Sequence, residues 1–592
     1  MSDRLRQSLQ LHLSALYSQA DAPALIERIL DAFWPGKDQP RQDPKADSHS
    51  LWSEQDSILI TYGDSIYDPA ITDGGGSSPL RLLDDFLTDT VGNAISSVHI
   101  LPFFPASSDD GFAVIDYRQV NPPLGTWKDV TSIGYKYRLM ADLVINHASS
   151  QSEWFEKFKK GEPPYDNYFY TGDPYADHSE VVRPRPSPLL MPVETSSGIR
   201  HVWCTFSHDQ VDLNFAYPEV LLEFIRIMRF YIDRNVRLFR LDAVAFLWKE
   251  PGTRCINLPQ THEIIKLLRA LVNHTREDVV LITETNIPNH ENLSYFGNQN
   301  EAHIIYNFSL PPLITHALLS GDSTYLCRWM MSMPPALFGC AYLNFTASHD
   351  GIGLRPAEGL LPEAELQRMI DTVQSFGAKI SMRSTGNGES RPYEMNVSLF
   401  DALKGSFEGP DEFQIDRFLA SQTIMMSLEG IPAFYIHSLL ATPNDEALLE
   451  ETGRNRSINR HRWNLPELSR LMADPGSPQS IVSKELLRRL EMRIRQPAFH
   501  PNAVQFTLHL APGLFGFWRQ SMDRRQSVFV ITNLTIEEKS INLHEINLIA
   551  GERWVDLLSG DIIGGSDGDL TLRPYQTIWI TNRSDLRPRA YV

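Results

Sequence analysis

A chain of 592 residues is longer than one ordinary core supports, so two or more domains are expected. Hydrophobic residues make up 42% and charged residues 21%, the balance of an ordinary soluble globular protein. The 73 acidic against 54 basic side chains leave a net charge of −19, which argues against a nucleic-acid partner and against adhesion to an anionic membrane.

The start, Met-Ser-Asp-Arg-Leu-Arg, leads into an amphipathic pattern rather than an apolar signal segment, and no apolar run is long enough to span a bilayer. Cys204, Cys255, Cys327 and Cys340 lack CxxC spacing, so neither a zinc site nor a disulfide framework is expected, and a reducing cytoplasm is the default location.

Residues 1 to about 35 carry helical periodicity in Leu9, Leu11, Leu13, Leu16, Ile26, Ile29 and Leu30, and a polar linker follows from Pro35 to Ser50. Short apolar runs then recur at Ser57–Tyr62, Ser97–Leu101, Leu139–Ile145, Val236–Leu241, Val279–Thr283, Ile304–Phe308, Ala341–Phe345 and Pro432–Ile436. Helical patterns lie between them, clearest at Pro218–Arg234, Thr261–Val272 and Asp416–Leu428. Eight continuously apolar strands alternating with helices predict an α/β protein, a parallel (β/α)8 TIM barrel. A doubly wound open sheet is the competing topology, weakened because no GxGxxG follows the first strand.

Two intervals are too long for simple connections: 148–212, rich in Pro, Tyr, Arg and Asp, and 351–411, both with little helical period. After about residue 500 the pattern alternates, as in Val504–Leu510, Leu514–Trp518, Ser527–Thr532 and Asp569–Ile580, and predicts an antiparallel β domain. The expected organisation is a helical extension and linker (1–50), barrel (51–147), an inserted subdomain (148–212), barrel (213–350), a second insertion (351–411), barrel end (412–499) and the C-terminal domain (500–592). The one low-complexity stretch is Asp73-Gly74-Gly75-Gly76-Ser77-Ser78, and the Asn-x-Ser/Thr triplets at Asn307 and Asn344 fall in core strands.

Polar residues gather at the C-terminal ends of the predicted strands, where barrel enzymes build their sites. In Arg240-Leu241-Asp242 the arginine two positions before the aspartate shares its face, and its charge is expected to hold the carboxylate ionised. Such an aspartate can serve as a nucleophile in covalent sugar transfer. Alone it could equally cap the following helix, and Asp109-Asp110-Gly111 could be a turn. Glu284 and Asp350 end two later strands, so three carboxylates converge on one rim. That set fits retaining glycoside chemistry, with a nucleophile and an acid/base about 5 Å apart and a third group binding hydroxyls.

The stretches Asp142–His147, Arg240-Leu241-Asp242-Ala243, Glu284 and His349-Asp350 resemble the four conserved regions of the α-amylase family of glycoside hydrolases (family 13). The resemblance implies Asp242 as nucleophile, Glu284 as acid/base and Asp350 as transition-state stabiliser, with His147, Arg240 and His349 lining the glucose subsite. Within the family, Leu101-Pro102-Phe103-Phe104-Pro105, Asp109-Asp110-Gly111-Phe112, Arg183-Pro184-Arg185-Pro186 and Arg456-Ser457-Ile458-Asn459-Arg460-His461 resemble the sucrose phosphorylase subgroup. By that similarity Asp109 and Arg456 hold glucosyl hydroxyls, and Phe112 and Phe206 form an apolar wall. Arg185 becomes the phosphate ligand, its alternative being a solvated arginine in a polyproline-like loop.

Many hydrolases of the family bind calcium. The phosphorylases resembled here do not depend on it, and neither a metal nor a cofactor is expected. At the acceptor site the subgroup's Asp-x-Tyr-Gln pattern is replaced by Arg391-Pro392-Tyr393-Glu394, and a cation there suits an anionic acceptor. Trp248–Thr253 and Glu284–Pro288 are similar to the glucosylglycerate phosphorylases of the subgroup, which implies 2-O-α-glucosylglycerate and inorganic phosphate as the small-molecule partners. Sucrose, sucrose 6-phosphate or glucosylglycerol as substrate, a hydrolase or transglucosidase on the same site, and a non-catalytic sugar-binding barrel are the alternatives. Oligomeric state is not predicted.

Overall fold

The computed structural model describes residues 3–36, 51–70, 77–185, 187–384, 390–546, 553–563, 569–583 and 585. Most of the 35–50 linker, four residues of the glycine-rich 73–78 stretch and Pro186 lie outside them.

Eight strands close a barrel: β1 (Ile58–Thr61), β2 (Ser97–Ile100), β3 (Arg138–Val144), β4 (Val236–Asp242), β5 (Val280–Thr283), β6 (Ile304–Tyr306), β7 (Ala341–Asn344) and β8 (Ile431–Tyr435). Each pairs in parallel with its neighbours in sequence, and β8 closes on β1 through Ile58↔Ala433. Except for the first residue of β3 and the second of β4, every strand position is buried, because side chains fill the lumen on one face and meet helices on the other. Each of the eight apolar runs of the sequence contains or overlaps one of these strands. Asn344 ends β7 and Asn307 follows β6, and the two bond each other in the interior (3.0 Å).

The helical extension is a pair, α1 (Asp3–Leu16) and α2 (Ala22–Phe33), laid against two barrel helices, α3 (Pro218–Ile232) and α4 (Pro259–Asn273). Leu5, Leu9 and Leu13 recur at helical spacing and are fully buried. At the rim His12 Nδ1 meets Glu263 Oε2 at 2.7 Å, and Arg28 reaches Glu219 at 2.6 Å.

The segment after β3 leaves and returns through a short antiparallel pair, His147–Ser149 with Gln210–Asp212, and carries the hairpin Leu190–Thr195/Gly198–Trp203. The segment after β7 departs from expectation. It contains a 13-residue helix, α5 (Glu363–Ser375), and a three-stranded sheet of Ile352–Gly353, Ser390–Asn396 and Lys379–Ser384. The buried stripe of α5 is only Met369, Ile370 and Val373, too sparse for the periodicity to stand out.

Beyond Pro497 a six-stranded sheet, built on Leu514–Gln520, Ser527–Asn533 and Thr577–Thr581, packs against the barrel helix Gln414–Ser427. The predicted run Asp569–Ile580 is two strands, Asp569–Leu572 and Thr577–Thr581, pairing in different sheets, because Pro574 and the left-handed Tyr575 turn the chain between them. Fully buried Arg519 ties this sheet to the barrel by donating to the carbonyls of Ser427 (2.9 Å) and His500 (2.8 Å).

Candidate active site

Strand register assembles the centre of the pocket. Asp142 pairs with Arg240 across β3 and β4, and Val144 with Asp242. Thr283 pairs with Leu241 across β4 and β5, so Glu284, one step on, emerges beside Asp242. Arg240, 3% exposed, then lies among three carboxylates: Asp142 at 2.5 Å, Asp242 at 2.7 Å and Glu284 at 3.7 Å. His99 closes the rear of the cluster on Asp142 at 2.7 Å.

The chain turns sharply as soon as it leaves Asp242. Ala243 takes the left-handed region (φ 51°), which costs a residue with a Cβ free energy, and its N–H thereby donates to Glu284 Oε2 at 3.1 Å. Asp109 and Asp110 are left-handed as well, and Gly111 follows at φ 109°. A Cβ on Gly111 would stand 2.7 Å from the Pro102 carbonyl oxygen, so only glycine lets this turn lie against the β2 end.

One pocket is lined by Asp242, Glu284 and Asp350 together with Asp109, Phe112, His147, Phe206, Arg240, His349 and Arg456. All ten expected catalytic and sugar-binding residues therefore meet in one place. Phe112 stacks on His349 with ring centroids 5.0 Å apart, and Phe206 stands 5.2 Å from His147, forming apolar faces on two sides. Asp350 is bonded by Arg456 Nη1 at 2.5 Å and approached by His349 Nε2 at 3.6 Å. A larger cavity adjoins at the Asp109-Asp110 turn, lined by Tyr62, Asp64, Ser108 and Arg462, and contains none of the three carboxylates.

The electrostatics divide the carboxylates. Burial, reinforced by Glu284, Asp142 and Asp350, outweighs Arg240 and raises the Asp242 carboxyl well above the ordinary range. One guanidinium answers three acids, so Arg240 opposes the rise at Asp242 without cancelling it. Burial also raises Glu284, against the pull of Arg240, with Asp350 adding to the rise. For Asp350 burial acts upward too, but Arg456, His349 and Arg240 outweigh it and leave the carboxyl lowered. Burial pushes His349 down to about 3 and lowers His147, so both imidazoles are neutral near pH 7.

The expected acceptor set splits. Arg185 and Tyr393 line the pocket, whereas Arg391 and Glu394 do not. The strand Ser390–Asn396 carries a bulge: Ser381 pairs with Glu394 and Met382 with Pro392, leaving Tyr393 as the extra residue. The bulge breaks the period-two alternation, so Tyr393 turns in while Arg391, opposite Arg383, is exposed. Glu394 is 1% exposed and grips Arg456 through two bonds, Nε to Oε2 at 3.0 Å and Nη2 to Oε1 at 2.9 Å. It also accepts the Gly351 N–H at 3.1 Å, an approach that a Cβ on Gly351, 2.6 Å from Glu394 Cγ, would block. Glu394 thus holds the pocket-lining Arg456 in place and does not itself line the pocket.

Several residues at the site were not singled out by sequence. Gln210 bridges Asp109 Oδ2 (3.1 Å) and His147 (3.2 Å). Arg460 binds Asp110 and donates from Nε to the His349 carbonyl (2.9 Å). Asn286 and Arg355 line the same pocket as Tyr393. Beneath His147, Lys249 Nζ joins Asp212 Oδ2 (2.8 Å) and Asn146 Oδ1 (2.9 Å), all three buried. A lysine in a buried run between strands was the available signal. Among the described residues no group of three or more His, Cys, Asp and Glu could hold a metal ion, and no helix is long and apolar enough to cross a membrane.

Residues 90–333 match the model of the alpha amylase catalytic domain. The chain is 40% identical over 592 residues to a glucosylglycerate phosphorylase of Spirochaeta thermophila, covering 98% of this chain and 99% of that one. It is also 40% identical to one of Escherichia coli over 97% of this chain and 100% of that one. A sucrose phosphorylase of Agrobacterium vitis is 30% identical over 75% of this chain and 88% of its own. Among solved structures, the sucrose 6F-phosphate phosphorylase of Thermoanaerobacter thermosaccharolyticum superposes with a TM-score of 0.71 at 23% identity, covering 88% of this chain and 98% of that one, a likeness of fold. Matched at 40% identity from end to end, the chain belongs to the glucosylglycerate phosphorylase group of the α-amylase family.

Proposed function

We propose that the chain is a retaining phosphorylase that converts 2-O-α-glucosylglycerate and phosphate reversibly into α-glucose 1-phosphate and glycerate. The observation that carries the proposal is the meeting of Asp242, Glu284 and Asp350 with Arg185 in one pocket of a chain from this group.

In the mechanism the ionised Asp242 attacks C1 of the glucosyl unit from one face. Glu284, protonated, gives its proton to the glycosidic oxygen, the C1–O bond breaks and glycerate leaves. The reaction needs the pair's single proton on Glu284: burial raises both carboxyls, and Arg240, at 2.7 Å from Asp242 against 3.7 Å from Glu284, opposes that rise more closely at Asp242. Phosphate then enters beside Arg185. Glu284, now a carboxylate, takes a proton from a phosphate hydroxyl, the phosphate oxygen attacks C1, and Asp242 is released. Two inversions at C1 give net retention. Asp350, kept ionised by Arg456, binds sugar hydroxyls as charge develops at C1. The neutral His147 and His349 donate hydrogen bonds without adding charge to a site that must stabilise an oxocarbenium-like centre.

Support for glycerate rests on the 40% identity to glucosylglycerate phosphorylases over nearly the whole chain, against 30% to a sucrose phosphorylase over three quarters of it. Arg391 no longer contributes to that argument. The test is phosphate-dependent release of glucose 1-phosphate from glucosylglycerate, glucosylglycerol, sucrose and sucrose 6-phosphate. Glucosylglycerate is expected to turn over fastest, and faster sucrose turnover overturns the acceptor assignment. Glucose release at a rate indifferent to phosphate would instead identify a hydrolase.

A further inference from the structure

With Arg391 outside the pocket, the acceptor side still holds a second cation besides Arg185. Arg355 opens the short 3-10 turn Arg355–Ala357 after β7 and lines the pocket with Asn286 and Tyr393. It is 9% exposed, and among the described residues its guanidinium makes no hydrogen bond or ion pair. The nearby Glu358 is already taken by Arg383 at 2.7 Å. A buried guanidinium without an anion costs free energy that burial of a neutral side chain would avoid, so its retention in a pocket calls for an anionic ligand. Asn286 adds the second observation. Its amide donates weakly to the Tyr393 hydroxyl (3.5 Å), and its Oδ1 is buried with no donor. A Cβ on Gly353 would come within 3.2 Å of that amide, so the close approach of Gly353 helps fix its orientation.

The two arginines also differ in their neighbours. Arg185 acts electrostatically on Asp109, beside the sugar subsite, as well as on Tyr393, whereas Arg355 shares Tyr393 but otherwise feels Arg383, Glu291 and Glu358. We propose that Arg355 is the specificity-determining residue for the acid product, its guanidinium pairing with the carboxylate while Asn286 Oδ1 accepts a hydrogen bond from a free hydroxyl of the same small hydroxy acid. This rests on the glycerate reading above and goes beyond it by separating a carboxylate cation, Arg355, from a phosphate cation, Arg185.

The experiment uses the full chain with glucose 1-phosphate as donor and compares glycerate with glycerol, which has the same carbon skeleton without the charge. In Arg355→Gln the ratio of kcat/KM for glycerate over glycerol is expected to fall roughly ten- to a hundredfold, the scale of a lost charge-assisted hydrogen bond. Arg355→Lys is expected to restore part of that ratio and shows that the position tolerates substitution. In the phosphorolysis direction the KM for phosphate is expected to rise far less than the glycerate ratio falls. An unchanged glycerate-to-glycerol ratio in Arg355→Gln overturns the inference, as does a phosphate KM raised as strongly as the ratio is lowered. If the unsubstituted protein itself prefers glycerol to glycerate, the glycerate reading fails first, and the two failures are told apart.

Discussion

Lys249→Met tests whether the insertion after β3 is pinned to the barrel by one buried ion pair. The Lys249 and Asp212 side chains are 1% and 0% exposed and meet at 2.8 Å, so removing the ammonium leaves a carboxylate in the interior. Breaking a buried pair by deleting one partner costs about 3–5 kcal/mol. Asp212 keeps the Thr205 N–H (2.9 Å), the Thr205 hydroxyl (2.7 Å) and the Asn146 amide (3.1 Å). These donors place the loss near the lower end, about 3 kcal/mol. The entropy of unfolding grows with residue number, so across a barrel of several hundred residues that lowers a thermal midpoint by about 3 °C.

The assay is scanning calorimetry at one scan rate, with limited proteolysis of the 148–212 segment as a local readout. Adding Asp212→Asn removes the stranded charge, so the double variant is expected to regain at least half of the loss. A single variant within about 1 °C of the parent, or a double variant no better than the single, refutes the pinning role.

Other substitutions probe the pocket. Asp242→Ala is expected to lower kcat/KM for phosphorolysis by about a thousandfold or more, and a loss under about a hundredfold contradicts the nucleophile assignment. Glu284 titrates above the ordinary carboxylate range in the folded chain, so between the two values the native state holds more proton than the unfolded state. Stability is therefore lost as pH rises through that window, and Glu284→Gln is expected to be more stable than the parent at pH 7–8, with the advantage vanishing below the ordinary range. An advantage that grows with acid denies this sign. Glu394→Gln breaks a two-point hold on Arg456 and is expected to raise the donor KM about tenfold with a smaller change in kcat. Arg391→Ala, on an exposed strand position, is expected to leave glycerate transfer within about twofold, and a larger loss would put Arg391 back at the acceptor.

Much of the barrel was legible because parallel strands covered on both faces must be apolar throughout, and eight such runs leave few topologies. The sugar side of the pocket was legible for a related reason: Asp142, Asp242, Glu284 and Asp350 sit at strand ends whose position is fixed by the same pattern. The acceptor side was not. Its residues lie on segments where one bulge decides which neighbour points inward: simple alternation puts Arg391 and Tyr393 on one face, and the bulge leaves only Tyr393 in the pocket. Arg355 sits in a turn of three residues with no periodicity to mark it. The upward shift of the Asp242 carboxyl escaped for another reason, since it depends on how many acids share Arg240, and that number follows from register between strands distant in sequence.

The N-terminal helix pair has a bearing on the chemistry although it touches none of the site. α1 and α2 lie against α4 and α3, the helices that lead into β5 and β4, whose ends carry Glu284 and Asp242. They act as an external brace across the two strand–helix units whose relative position sets the spacing of the two carboxylates. A truncation at residue 50 is therefore expected to loosen the spacing of two charges some way from the cut.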